Sequence, residues 1–439
     1  MMATSKNVRF ILLWLLVLPV AGGVRAGAQD TLRLTLDSCI VYAYGHNYTV
    51  QAALLQREAA AAALQQASLW LVPSLSASAG SNLSFYGGSS TFSSSYGVGS
   101  SWTLFEGLSN YNSYRGRRAE QQGSELEVEK SYNDVAAQIV TAYLDVVSAR
   151  ERVDYLRQQL QSAQSYASDA QTKSRAGSII ESDYLLLAAN ERKAQCELNN
   201  AIVDVGKGLN KLRLLLGTDR PVDVVPITHE AEPPAVLPTL DAVLCRAVDS
   251  VLPDVRAGEM AVQKAAYDLR AAKGSYAPRL SADAYASYYG GDRMRTDAGG
   301  MLITSGGLNT NLGLSLSLPI FYQGSRRLQL AQSKIALQQA ELQLSDTRSR
   351  LRQTVSERYS TLMQSIANLE AARQMQQARK ASLDAYQEKF KAGKVSATEL
   401  LQQQENYIAA LYDYMKCKYT YLLSEKILFI YLGTNTIEK

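Results

Sequence analysis

KFKAGKVSATELL, Lys389 to Leu401, interrupts a run of Ala, Gln, Glu, Lys, Leu and Arg, the residues that hold helices best. Gly393 is a poor helix former, and Ser396 and Thr398 are not good interior residues. KSRAGSIIESDYLLL, Lys173 to Leu187, makes the same interruption in the same kind of surroundings. A glycine ends a helix cheaply because it adopts the left-handed conformation without a side-chain clash. Ser396 to Glu399 and Ser178 to Glu181 then fit the reciprocal cap that starts a new helix. Each break is expected to be a tight helix-to-helix turn, with Gly177 and Gly393 as the tips of two long hairpins.

The helices feeding these tips run from about Asn110 to Arg175 and from about Gly324 to Lys391, roughly 100 Å each at 1.5 Å per residue. Ile139, Ala142, Val146, Ala149, Val153, Leu156, Leu160, Ala163, Ala167 and Ala170 follow alternating steps of three and four. Ala136, Val140, Tyr143 and Val147 form a second stripe beside them. Two adjacent apolar stripes call for a partner on each side, as in a closed ring of helices; the simpler alternative is an exposed coiled coil. The first stripe shrinks to alanine toward Gly177, so the ring is expected to narrow there. Asp169 and Asp384 lie about two turns before the glycines. A ring of such carboxylates at a narrow point would favour cations and act as a gate; the alternative is a solvated outer face.

The whole chain is duplicated. Gly177 and Gly393 are 216 residues apart (393 − 177 = 216), and Phe105 with Phe321, and Gly217 with Gly433, keep the same offset. LTLD at Leu34 returns as PTLD at Pro238, and a helix ends before Pro73 and again before Pro278. The expected organisation is a signal peptide over 1–28 and a first repeat over 29–216. A Pro-rich linker over 217–238, a second repeat over 239–433 and a short tail over 434–439 complete it. Each repeat reads as one helix from a threonine cap (Thr35, Thr239), a β-hairpin (about 74–105, about 279–321), a long helix, a tip and a returning helix.

The hairpin segments alternate. Leu308, Leu312, Leu314, Leu316 and Leu318 fall on one face, and Asn309, Asn311, Gly313, Ser315 and Ser317 on the other. Tyr96, Val98, Trp102 and Leu104 alternate with Gly97, Gly99, Ser101 and Thr103. An apolar face against a face of small polar residues is how the wall of a membrane barrel reads, with Trp102 and Tyr288 as candidates for an interfacial belt. Four strands cannot close a barrel, and an open edge in hydrocarbon costs several kcal/mol per unsatisfied group. Several copies must therefore pool their strands: eight from two, twelve from three.

Lys6, Arg9, the apolar run FILLWLLVLPVA and the small residues at Ala26 to Ala28 read as a secretory signal peptide. Net charge is only +4, which points away from nucleic acid as a partner. Cys39, Cys196, Cys245 and Cys417 are too scattered for a disulfide framework; Cys39 and Cys245 sit at comparable places and either pair or stay as buried thiols. His46 and His229 read as structural. No nucleophile–base set, metal cluster or phosphate loop appears, so no enzyme, metal or cofactor is expected.

In that order and doubled, LTLD, the helix-ending proline, the F-x-G after the strands, the AG tips and the closing LG resemble the TolC-like outer-membrane efflux family over nearly the whole mature chain. The resemblance implies a mainly α fold with a membrane β-barrel portion. In it, a homotrimer shares a twelve-stranded barrel in the outer membrane of a Gram-negative bacterium, continuous with a helical tunnel through the periplasm. It implies contact with outer-membrane lipid and docking to a periplasmic adaptor and an inner-membrane pump, so that small molecules leave by a passive duct. A protein-secretion duct would share the architecture; a soluble periplasmic scaffold is the alternative of a different class. The family's tip pattern of Gly, a hydroxyl residue and an acid falls on Gly393, Ser396 and Glu399. The first copy departs, with Gly177 and Asp183 in place but Ile180 at the hydroxyl position. Arg175, Ser178, Lys391 and Lys394 beside the glycines are the candidate adaptor contacts.

Overall fold

The computed structural model describes residues 31–86, 89–227, 239–246, 252–294, 303–318, 320 and 324–431. The expected signal peptide, His229, Phe321, Gly433 and the tail lie outside the described residues. Strand β1 (Leu32–Leu34) leads into α1 (Leu36–His46) and α2 (Tyr48–Ser68), then the hairpin β2 (Ser74–Tyr86) and β3 (Ser89–Glu106). The long helix α3 (Ser109–Arg175) follows, then α4 (Glu181–Leu216) and β4 (Val222–Val224). The second half repeats the order with α5 (Leu240–Arg246), α6 (Pro253–Gly274), β5 (Arg279–Met294), β6 (Ile303–Ser317), α7 (Ser325–Lys391) and α8 (Ala397–Tyr431).

The long helices α3 and α7 are both 67 residues. Each starts from a left-handed cap, Leu108 at φ 61° and Gly324 at φ 78°, which keeps the offset of 216 (324 − 108). Both stripes foreseen on α3 are buried: Ile139, Ala142, Val146, Leu156 and Ala163 on one, Ala136, Val140, Tyr143 and Val147 on the other. Ile139 and Leu156 are fully buried and stabilise the fold by about 2 kcal/mol each through transfer from water. α3 packs against α2, α4, α6 and α8. Its first half meets α6 through Glu120–Lys264 at 3.0 Å and Lys130–Asp254 at 3.1 Å. Its second half meets α8 through Glu151, which takes an ion pair from Lys418 at 3.1 Å and a hydrogen bond from the Tyr419 hydroxyl.

Two expectations need correction. The helix expected to run unbroken from Thr35 to Pro73 is two helices. Thr35 does cap α1, but Asn47 then opens the chain. Its Oδ1 accepts from the Thr49 and Val50 amides, and its Nδ2 donates to the Leu215 carbonyl at 2.7 Å. A side-chain amide that competes with the backbone and also reaches α4 outweighs one more helical turn. In the second half, Leu252 caps α6 with Pro253 at its first position, where a missing N–H costs nothing.

The second correction concerns the linker. Residues 222–224 pair in parallel with 32–34 as a small ribbon, and Val222 and Val224 are buried. Tyr143 of α3 donates to the Val225 carbonyl at 2.6 Å, while Arg150 donates to Val224 O and pairs with Asp223. A three-residue strand is too short for any periodicity to announce it. Cys39 is a free, buried thiol, pushed up to about 12 by burial.

The sheet is an antiparallel ribbon ordered β2-β3-β5-β6, so β2 and β6 are edges within the chain. Ala77↔Val98 and Val98↔Ala286 are paired across it, as are Tyr96↔Tyr288 and Tyr288↔Leu308. These alternate positions share one apolar face with Leu75, Leu83, Leu312, Leu314 and Leu316, all exposed in the single chain. Trp102 and Tyr288 are on it too. The opposite face is mostly serine, glycine and asparagine, with Arg279, Asp283 and Tyr289 among them; Tyr285 lies across Gly97 and Gly99, where a side chain at Gly97 would collide with it.

Candidate functional site

At the first tip α3 ends in a six-to-one turn. Ser178 N donates to Lys173 O and Gly177 N to Ser174 O, both at 2.9 Å, with Gly177 at φ +71°. The second tip repeats it: Lys394 N to Lys389 O at 2.9 Å, Gly393 N to Phe390 O at 3.0 Å, and Gly393 at φ +69°. Nothing lies within 4 Å of where a Cβ would sit on either glycine. Their requirement is backbone conformation alone.

Beyond the glycines the tips diverge. Ser396 and Glu399 form the full reciprocal cap: Glu399 N donates to Ser396 Oγ at 3.2 Å, and Ser396 N donates to Glu399 Oε2 at 2.8 Å. The Ser396 amide, with the Ser396 hydroxyl donating to the same Oε2 at 3.1 Å, holds the Glu399 carboxyl below its ordinary value. The cap expected at Ser178 to Glu181 is not formed. Ser178 Oγ turns back to Lys173 O at 2.9 Å, and Ile180, with no hydroxyl, opens α4. Serine lies two residues too early to reach the first free amides. Because Glu399 titrates below its ordinary pKa, its contribution is complete above that value and is lost as pH falls through the folded one. Ser396→Ala is expected to speed amide exchange at residues 397–400 at neutral pH, and Ser178→Ala to leave the corresponding start of α4 unchanged. Equal effects at both tips would contradict this asymmetry.

The two tips are one body. Ala170 and Leu187 from the first hairpin are buried with Ala397 from the second, and Tyr166, Ile179, Tyr184, Phe390 and Leu401 pack around them. Tyr166 and Phe390 meet edge-on with centroids 6.2 Å apart, and Lys173 Nζ sits 5.9 Å over the Phe390 ring. Burial raises the Tyr166 hydroxyl, with Lys391 opposing and Asp169 adding to it. Sequence reasoning missed Tyr166, Lys173 and Phe390, because the contact joins residues over two hundred positions apart. Their signal was an aromatic three residues before Gly393.

Arg175, Lys391, Lys394 and Glu399 are exposed around the glycines, and Asp183 is half-buried in the first turn of α4. Lys391 is raised by its hydrogen bond to Glu388 at 2.8 Å, an i,i+3 surface pair of little energetic weight. Asp169 and Asp384 are exposed next to buried Ala170 and Leu383. Among the described residues neither makes an ion pair. No group of residues able to hold a metal ion is found among the described residues, and none of their helices is long and apolar enough to cross a membrane. Arg175, Lys391, Lys394 and Glu399 give this end of the molecule an exposed surface of mixed charge.

The family model "Outer membrane efflux protein" matches residues 40–218 and 250–434. The outer membrane efflux protein BepC of Brucella suis biovar 1 (strain 1330) is 24% identical over 311 residues, which are 70% of this chain and 64% of BepC. The outer membrane protein TolC of Escherichia coli (strain K12) is 24% identical over 313 residues, 67% of this chain and 60% of TolC. The match thus spans less than two thirds of either relative. Among solved structures, CusC superposes with a TM-score of 0.76 at 17% identity, covering 90% of this chain and 91% of CusC. The Campylobacter jejuni CmeC outer membrane channel gives 0.74 at 18% identity, over 92% of this chain and 87% of CmeC. Likeness at that identity concerns the fold.

Proposed function

The chain belongs to the outer membrane efflux protein family, and from that premise we infer that three copies form a passive exit duct for small molecules. The single observation that carries this reading is the open sheet: four strands, an exposed apolar face and two edges without a strand partner among the described residues. In water that face would aggregate; in hydrocarbon it is satisfied, but the edges are not. Only a closed ring of copies satisfies both, and three copies pool twelve strands. The α3/α4 and α7/α8 hairpins then continue the barrel as a tunnel into the periplasm. The tips at Gly177 and Gly393 are its far end, where Arg175, Ser178, Asp183, Lys391, Lys394, Ser396 and Glu399 meet a periplasmic adaptor linked to an inner-membrane pump. Asp169 and Asp384 line the narrowing above them and act as the gate.

Purified protein added to a planar lipid bilayer should insert stably and conduct in small, uniform steps. Replacing Asp169 and Asp384 by Asn should lower the preference for cations, because the ring loses its fixed negative charge. Protein that stays soluble without detergent and never conducts would remove the duct reading; unchanged ion selectivity in the double variant would remove the gate alone.

A further inference from the structure

Beside the second half of α3 lies a cavity of about 500 Å³ between α3, α4 and α8. Its position follows from helix geometry. Arg150 reaches the β1/β4 ribbon through Val224 and Asp223. Ser148 and Arg152, two residues to either side, are turned about 200° away on a helix of 3.6 residues per turn. Both line the cavity, which therefore opens on the side of α3 away from the ribbon. Helix α4 adds Ala201 and Asp204, and α8 adds Tyr412, Met415 and Lys416. One chain supplies these walls, so no second copy is needed to complete the space. A cavity of this size takes a drug-sized molecule.

Apolar and charged residues divide the lining. Leu144, Ala201 and Met415 are buried and form an apolar floor, with the Tyr412 ring beside them. Asp145, Arg152, Asp204 and Lys416 are exposed and set charge around the mouth. Asp145 is held by Lys211 at 3.4 Å and Asp204 by Lys207 at 3.1 Å. Among the described residues neither Arg152 nor Lys416 makes an ion pair. The Arg152 guanidinium instead sits 4.9 Å over the Tyr412 ring, a contact that uses its face and leaves the N–H donors at its edge. The mouth thus gathers four bases against two acids, and the two unpaired bases belong to the lining itself. The Tyr412 hydroxyl is buried without a hydrogen-bond partner, a costly state for a donor. These cations are not part of the repeated architecture. At the offset of 216, Arg152 answers to Asn368 (368 − 152) and Lys416 to Asn200 (416 − 200). The other half has neutral side chains at both positions.

We propose that this cavity is a binding site for amphipathic organic anions, molecules with a flat apolar body and one carboxylate or sulfonate. The body displaces water from Leu144, Met415 and the Tyr412 ring. The acidic group accepts charge-assisted hydrogen bonds from Arg152 and Lys416. A guanidinium suits this task because its planar fork matches two oxygens of one acidic group. An acceptor beside Tyr412 also offers its hydroxyl the partner that the chain withholds. An apolar cation of the same shape would meet two unpaired positive charges and bind more weakly. The site goes beyond the duct reading and does not depend on it, since one chain completes it.

The test is equilibrium dialysis of the full-length protein in a nonionic detergent, with binding to detergent alone subtracted. The probes are naphthalenesulfonate and naphthylmethylammonium, which share one apolar body and differ in charge. The expected result is one sulfonate per chain, bound at least about ten times more tightly than the ammonium. R152Q/K416Q should weaken the sulfonate at least about tenfold, because two charge-assisted contacts are lost. R152E/K416E should reverse the preference between the probes. R379Q/K380Q, which removes equal charge from exposed positions on α7, should bind like the unaltered protein. Arg152 and Lys416 are exposed, so these substitutions leave the core as it is, and circular dichroism checks that the helices are retained. Equal binding of the two probes, or sulfonate binding that survives in R152Q/K416Q, would overturn the assignment. No binding to the unaltered protein would overturn it too, whatever its oligomeric state, and would leave the duct reading standing.

Discussion

Gly107→Ala should abolish accumulation of folded, membrane-inserted protein. Gly107 holds φ +58° at the turn from β3 into α3, a conformation that costs an L-residue roughly 1–2 kcal/mol. That strain alone would be tolerable. The Cβ, however, would lie 2.5 Å from Ala277 Cβ and closer still to the Gly274 carbonyl oxygen. A backbone atom cannot swing aside as a flexible side chain can, so the loop after α6 would have to move. Any such movement breaks the joint between the two halves where the sheet meets the helices. The combined cost should exceed about 4 kcal/mol, the range reached only by core overpacking or lost networks. The measurement is the amount of the variant in the membrane fraction and its thermal unfolding, beside Gly177→Ala as control. Gly177 has a similar φ of +71° but open space around the Cβ site, so its alanine variant carries strain without collision. If Gly107→Ala accumulated and unfolded like Gly177→Ala, the close approach would not be what holds this joint.

The contrast between these glycines also marks what the sequence could disclose. The tips were legible because an isolated glycine followed by cap residues inside a long helix-forming run has a local meaning, and it occurred twice. The stripes on α3 were legible because a period of 3.5 extends over thirty residues. The alternating face of β6 was legible for the same kind of reason. What stayed hidden were contacts between distant segments of the chain: the β1/β4 ribbon clamped by Tyr143 and Arg150, Asn47 reaching Leu215, and the Tyr166–Phe390 contact that fuses the tips. Each depends on one side chain reaching a partner brought near only by folding. Gly107 gave no sign of its role either. Its neighbour in space, Gly274, is 167 residues away (274 − 107). Ser178 misled because its spacing to Glu181 matched a cap, whereas the chain in fact places Ile180 at the cap position.

Gly393→Val should stop export while leaving oligomers in the membrane. The left-handed turn at φ +69° joins α7 to α8, and a β-branched residue is a genuine outlier there. Space is not the obstacle, since nothing lies within 4 Å of the Cβ site. The penalty is therefore local strain, which the chain relieves by unwinding the turn, not by disturbing the distant barrel. Relief would displace Lys394 and loosen the Ser396–Glu399 cap, together with the buried Ala397 that ties the second tip to the first. Every residue proposed for adaptor contact on the second hairpin moves with it. Gly393→Asn should retain more function than Gly393→Val, because asparagine tolerates the left-handed region far better. The readouts are resistance of cells to an exported toxic compound and the oligomer recovered from their membranes. Loss of resistance with normal oligomer, graded from Asn to Val, places the working end of the molecule at this turn. Full resistance in Gly393→Val cells would mean that the turn is not part of the docking surface. Loss of the oligomer as well would mean that the tip contributes to assembly, which its remoteness from the sheet argues against.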